Sequence, residues 1–267
     1  MKPRLPADWV FYLCLSILGG SYVVLIIAMI VADLFFTTPG HFLDSLNNPN
    51  IRYAIKLSLI SCTITAVLSL WVGVPMGYLL ARTQFWGKTF IDTLLDVPIV
   101  LPPLVIGLSL LILFQAWPGQ FFQRNFFGVT FEVPSVILAQ FSVSAAFAVR
   151  TMRVTFEQIS PRTEQVAMTL GCTRAQAFWR VAMPEARRGL LTAGTLSWAR
   201  ALGEFGPILI FSGATRLRTE VLSTTVWLEF SIGNLEAGIA VSLLMIAAAV
   251  VVLILTRTLG LRGTGLV

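Results

Sequence analysis

Arg200 and Glu204 are the two charges in an otherwise uncharged stretch from Gly189 to Phe211. Their spacing of four puts both on one helical face, where they can pair. At 1.5 Å per residue Arg200 lies about 20 Å beyond Arg187. A charge at that depth in hydrocarbon costs about 3 kcal/mol or more, so it must face protein or water. Two roles fit: a lining or gate of a translocation pathway, or a structural ion pair between helices. Other chemistries lack their residues. The three cysteines, Cys14, Cys62 and Cys172, make no CxxC pair, and His41 is the single histidine. A zinc site and a disulfide framework are therefore not expected. No paired carboxylates or nucleophile triad mark an enzyme. Gly87-Lys88-Thr89 ends like a phosphate-binding loop, but the earlier glycine that loop needs is replaced by Arg82 and no strand precedes it. The chain is expected to carry no nucleotide site, metal or cofactor of its own.

The elements that must hold that pair are membrane helices. Only 12% of the 267 residues are charged and 56% are hydrophobic, against about 25% charged in soluble domains. A hydrocarbon core needs roughly 20 apolar residues of helix. Six such runs occur, at about 9–32, 57–81, 97–117, 133–149, 189–211 and 237–256. The reading is an all-α integral membrane protein, one transmembrane domain over residues 1–267 with six transmembrane helices. Thirteen lysines and arginines flank the runs on one side (Lys2, Arg4, Arg82, Lys88, Arg150, Arg153, Arg162, Arg174, Arg180, Arg187, Arg188, Arg257, Arg262) and five on the other (Arg52, Lys56, Arg124, Arg216, Arg218). The positive-inside rule then puts both termini in the cytoplasm. The net charge of +6 belongs to this topology, not to nucleic-acid binding. Pro98, Pro102 and Pro103 interrupt the third run, and simple bending is favoured over a broken helix. Gly73 and Gly77 form a GxxxG pair, with Pro75 inside it, for close helix packing. No internal repeat supports a self-contained, inverted-repeat carrier.

The longest cytoplasmic connection runs from about 151 to 186, and within it the stretch of about 160–185 has local structure of its own. Ser160-Pro161 reads as an N-cap with proline at the first helical position. A helix follows to Leu170, and Gly171 caps it in the left-handed conformation. Thr173 and Gln176 have capping-box spacing for a second helix. Phe178, Val181 and Ala182 share one face of it, and Pro184 ends it.

In this loop Gln165, Val166, Ala167, Gly171, Val181, Met183 and Pro184 fall on the Glu-Ala-Ala…Gly…Ile-x-Leu-Pro pattern of ABC importer permeases, with Glu164 one position early. The segments Asp96 to Phe114 and Ala199 to Gly213 resemble the molybdate, tungstate and sulfate branch of those permeases. Pro207 stands where alanine is more usual. The resemblance implies a type I ABC importer permease fold in the cell inner membrane. It implies a homodimer of permease copies, two ATP-binding subunits carrying ATP and magnesium, and a periplasmic or lipid-anchored binding protein delivering an oxyanion. It also makes the loop an ATPase-coupling helix. Glu164 and Gln165 are expected at the rim of the ATPase groove, Val166, Ala167 and Leu170 in packing, and Gly171 and Pro184 in shape. Iron, thiamine, a polyamine or a phosphonate are alternative substrates, and an ion-coupled secondary carrier is the alternative from another class.

Overall fold

A computed structural model describes residues 9–36, 42 and 45–262. Thirteen α-helices organise these described residues: α1 Trp9–Phe36, α2 Pro49–Arg82, α3 Lys88–Val100, α4 Pro103–Gln115, α5 Trp117–Asn125, α6 Val133–Gln158, α7 Pro161–Thr169, α8 Arg174–Ala177, α9 Met183–Glu185, α10 Arg187–Leu202, α11 Gly206–Ser212, α12 Leu222–Ser231 and α13 Leu235–Arg262. A π-helical turn, Phe178–Ala182, joins α8 to α9. His41, Lys2 and Arg4 lie outside the described residues.

Among the described residues four helices are long and apolar enough to cross a membrane: Trp9–Phe36, Pro49–Arg82, Val133–Gln158 and Leu235–Thr256. The third expected span is broken, not bent. Its two halves, α3 and α4, meet at 112°. Pro102 and Pro103 account for the break, because neither has an N–H to continue the helical ladder and Pro103 forces extended backbone on its predecessor. Pro98 sits inside α3, away from the corner. The fifth expected span is divided too, into α10 and the seven-residue α11.

Three apolar clusters hold the bundle together. One joins Leu57 of α2, Val136 and Ala139 of α6 and Ile208 and Phe211 of α11. A second joins Cys62 of α2, Ala201 and Leu202 of α10, Leu222 of α12 and Val241 of α13. The third lies at the other end, where Met152 and Phe156 of α6 meet Ala182, Ala186 and Ala193. The GxxxG glycines bring α2 onto α6. A Cβ at Gly73 would stand 2.8 Å from the Ala148 Cβ, and one at Gly77 2.7 Å from the Met152 Cβ. Pro75 is accommodated within α2. In contrast, α1 buries no residue and packs only lightly, against α13.

Candidate coupling loop and membrane-buried ion pair

The loop between α6 and α10 builds itself from local signals. The Ser160 hydroxyl accepts from the Arg162 amide at 3.4 Å, and Pro161 occupies the first turn of α7. Gly171 ends that helix with φ +93°. Its amide donates to the Met168 carbonyl at 3.1 Å, and the Cys172 amide to the Ala167 carbonyl at 3.0 Å. A Cβ at Gly171 would meet nothing within 4 Å, so the glycine serves the backbone conformation alone. The capping box forms as its spacing predicts: the Gln176 amide donates to the Thr173 hydroxyl at 3.3 Å and the Thr173 amide to Gln176 Oε1 at 2.9 Å. Ala182 is buried, with Phe178 and Val181 half-buried. Pro184 does not end the second helix. The chain widens through the π turn and continues to Glu185, which accommodates a residue without an N–H.

The side chains divide their work differently from the sequence expectation. Glu164 is buried, not at a rim. Its Oε2 accepts from the Tyr78 hydroxyl at 2.6 Å and its Oε1 from Arg82 Nε at 2.8 Å. Arg82 also donates to the Ile159 carbonyl at 2.9 Å. Tyr78 packs edge-on against Phe156 at 5.3 Å and Phe178 at 4.7 Å between ring centroids. The two Glu164 hydrogen bonds, one of them to a guanidinium, thus clamp α7 to the end of α2, and the Tyr78 ring contacts hold the same end of α2 against α6 and the π turn. Val166 and Leu170 point outward, 57% and 81% exposed, where packing was expected. Gln165 is exposed as well, while Ala167 is half-buried. Trp179, which the sequence reading passed over, is exposed on the same protrusion.

A second ionic group escaped the sequence reading. Arg153 of α6 holds both Asp92 of α3 and its own Glu157, and Arg150 holds Asp96. The signal was present in the spacing: Asp92 and Asp96 are one turn apart, as are Arg153 and Glu157, so each pair shares a helix face. These ion pairs tie α3 to the end of α6 that leads into the 160–185 loop.

Arg200 and Glu204 do come together, with Arg200 Nη1 2.5 Å from Glu204 Oε2. They do so across a helix end. Glu204 follows Leu202, the last residue of α10, and lies in the break before α11. The angle leaves Oε2 outside a regular hydrogen bond. The glutamate is buried, whereas the arginine side chain is 29% exposed and its guanidinium carbon lies 5.9 Å from the centre of the Phe147 ring. The Ser223 hydroxyl donates to the Glu204 carbonyl at 2.7 Å, which satisfies one backbone group freed by the break.

The two broken helices touch near their breaks. A Cβ at Gly206 would lie 3.0 Å from the Leu104 amide nitrogen, and one at Gly107 2.7 Å from Pro207 Cα. Pro207 occupies the first turn of α11, where a missing N–H costs nothing. The two segments that carry the resemblance are therefore one spatial unit.

A helical bundle with a broken-helix centre and a capped helical protrusion is the architecture of a membrane permease. The chain belongs to the binding-protein-dependent transport system inner membrane component family, whose profile matches residues 73–262. It is 31% identical over 238 residues to the sulfate transport system permease protein CysT of Salmonella typhimurium, across 88% of this chain and 86% of that one. It is 32% identical over 206 residues to the molybdate/tungstate transport system permease protein WtpB of Pyrococcus abyssi, across 76% of this chain and 78% of that one. Its fold matches a chain of the crystal structure of a bacterial alginate ABC transporter in complex with alginate pentasaccharide-bound periplasmic protein. There the TM-score is 0.75 at 15% identity, over 97% of this chain and 96% of that chain. It also matches a chain of the inward-facing MetNI methionine ABC transporter, with a TM-score of 0.65 at 16% identity, over 80% of this chain and 95% of that chain.

Proposed function

We propose that this chain forms the translocation pathway of an ATP-driven importer for a tetrahedral oxyanion, sulfate, molybdate or tungstate. The observation that carries it is the clamped protrusion. Helix α7 is fastened by Glu164 to Tyr78 and Arg82 and turns exposed Val166 and Leu170 outward. An apolar face on a rigid helix suits docking in a groove of a partner, and rigidity lets movement of that partner reach α2 undamped. The partner is a pair of ATP-binding subunits, which bring ATP and magnesium. Both termini and the coupling loop lie in the cytoplasm, the chain crosses the inner membrane six times, and a periplasmic or lipid-anchored binding protein delivers the anion. The relatives named above support the substrate class.

The broken helices support a second permease copy, in a homodimer. Leu101, Pro102 and Pro103 are exposed in the single chain, as is Gly203. Irregular backbone at membrane depth is tolerated only against protein or water. The open side of Arg200 obeys the same rule. A partner copy and an aqueous pathway between the two satisfy all three.

The test is ATP-dependent uptake of radiolabelled sulfate, molybdate and tungstate into proteoliposomes holding the permease, its ATPase and an oxyanion-binding protein. Uptake of at least one anion, competed by the others and lost without ATP, is the expected result. Uptake driven by an ion gradient without ATP contradicts it.

A further inference from the structure

Beside the Glu164 clamp lies a pocket of about 220 Å³. Leu79, Arg82 and Thr83 at the end of α2 line one wall, and Gln165, Met168 and Arg174 of the loop line the other. An arginine carries five N–H donors. Arg82 uses Nε on Glu164 and Nη2 on the Ile159 carbonyl. Its Nη1 has no acceptor among the described residues, although the side chain is only 10% exposed. A donor left open at such burial calls for a partner. Across the pocket Arg174 is exposed and makes no hydrogen bond or ion pair among the described residues.

Glu164 is the one acid among the lining residues, and both its oxygens already accept, from Tyr78 and Arg82. Arg82 offsets its charge, which leaves Arg174 uncompensated. The pocket thus sets one buried guanidinium opposite one free guanidinium. A tetrahedral oxyanion suits that arrangement, because its several oxygens accept from both at once and its charge draws the two together. Water can serve Nη1 but supplies no such charge. Leu79, Phe85 and Trp86 stand exposed at the same end of α2, a belt that suits the membrane–water interface of the proposed topology. An oxyanion reaches such a pocket from two sources, as the phosphate of a lipid headgroup or as free anion in solution.

We propose that this pocket binds a tetrahedral oxyanion between Arg82 and Arg174, and that the bound anion ties the second half of the loop to α2. The site is independent of which substrate the chain carries. It is tested by thermal unfolding of the full-length permease, purified in neutral detergent free of phospholipid, at constant ionic strength. The probes are inorganic phosphate, sulfate and short-chain phosphatidylglycerol, each titrated separately. At least one is expected to raise the Tm by several degrees in a saturable way. Arg174→Gln, a change at an exposed side chain outside the Glu164 clamp, should leave the Tm without probe unchanged and raise the half-saturating probe concentration at least tenfold. Arg174→Lys should recover part of that loss. Arg162→Gln, which removes an exposed cation outside the pocket, should respond like the wild type. Saturation by phosphate or sulfate identifies free anion as the ligand, and a response to phosphatidylglycerol alone identifies a lipid headgroup. No saturable shift with any probe overturns the site. A shift that Arg174→Gln retains at the wild-type half-saturation, or that Arg162→Gln loses equally, overturns it too.

Discussion

Glu164, Glu204 and Glu229 are buried glutamates that meet arginines, and the settings of the first two differ. Glu164 ends in a clamp where both carboxylate oxygens accept well-aligned hydrogen bonds. Glu204 ends in a helix break with one close charge contact to an arginine that is partly open to its surroundings. A satisfied, enclosed pair is a fastener. An under-satisfied pair beside a partly open guanidinium can exchange partners at low cost, which would suit the proposed pathway. Under the proposed function, the clamp transmits force and the Arg200–Glu204 pair responds to it.

The largest expected effect comes from breaking the fastener. Glu164→Ala leaves Arg82 buried without its carboxylate, and loss of one partner of a buried pair costs about 3 kcal/mol or more. The variant is expected to lose ATP-driven uptake while retaining most of its ATP hydrolysis, and the double variant with Arg82→Met should recover part of the thermal stability. Measured transport per ATP unchanged in Glu164→Ala would show that the clamp transmits nothing.

Arg200→Ala should act the other way round. The bundle is expected to insert and bind its ATPase normally, because the side chain is partly open, while uptake falls at least tenfold. Reduced amounts of protein with normal uptake per molecule would make the pair purely structural.

Gly171→Val sharpens the role of the loop corner. No neighbour lies within 4 Å, so the cost is confined to the left-handed backbone, about 1–2 kcal/mol. The helices should still insert, and co-purification of the ATPase should weaken. Full association and full transport in this variant would free the corner from any part in coupling.

A further buried acid, Glu220, has no ion-pair partner among the described residues. Burial pushes the Glu220 carboxyl up from its ordinary range, against weaker lowering by Thr225 and Arg216. A carboxyl whose folded pKa is raised binds its proton more tightly in the folded state. Stability therefore falls as pH rises above the unfolded value of about 4.3 toward the folded one, and the penalty is complete above it. Glu220→Gln should raise the Tm of the detergent-solubilised protein by a few degrees at pH 8, with the gap closing toward pH 5. An equal difference at both pH values would contradict the assignment.

What the sequence showed and what it hid follow from the range of the forces involved. Ser160, Gly171, Thr173 and Gln176 act within four residues of themselves, so their caps were legible and formed as expected. Gly73 and Gly77 announced close packing through spacing alone. The break at Pro102-Pro103 was legible as an interruption but not as a corner, because proline permits both a bend and a break and the 112° turn is decided by α11 packing against α4. Most opaque was Glu164. Its partners lie 82 and 86 positions away, and no local pattern distinguishes an acid facing a partner protein from one facing its own bundle. The outward turn of Val166 and Leu170 is the consequence: once Glu164 points inward, its helical neighbours two and six residues on are carried to the other side.

The central claim is that this outward face of α7 receives the ATPase. The most direct measurement is recovery of the ATP-binding subunit with affinity-purified Val166→Asp/Leu170→Asp permease, at equal amounts of membrane-inserted protein. Both side chains are exposed, so the substitutions leave the fold intact. The account expects recovery to fall at least tenfold, with the buried Glu164 clamp undisturbed in thermal unfolding. Recovery at the wild-type level would mean that the ATPase binds elsewhere and that α7 is not the coupling helix.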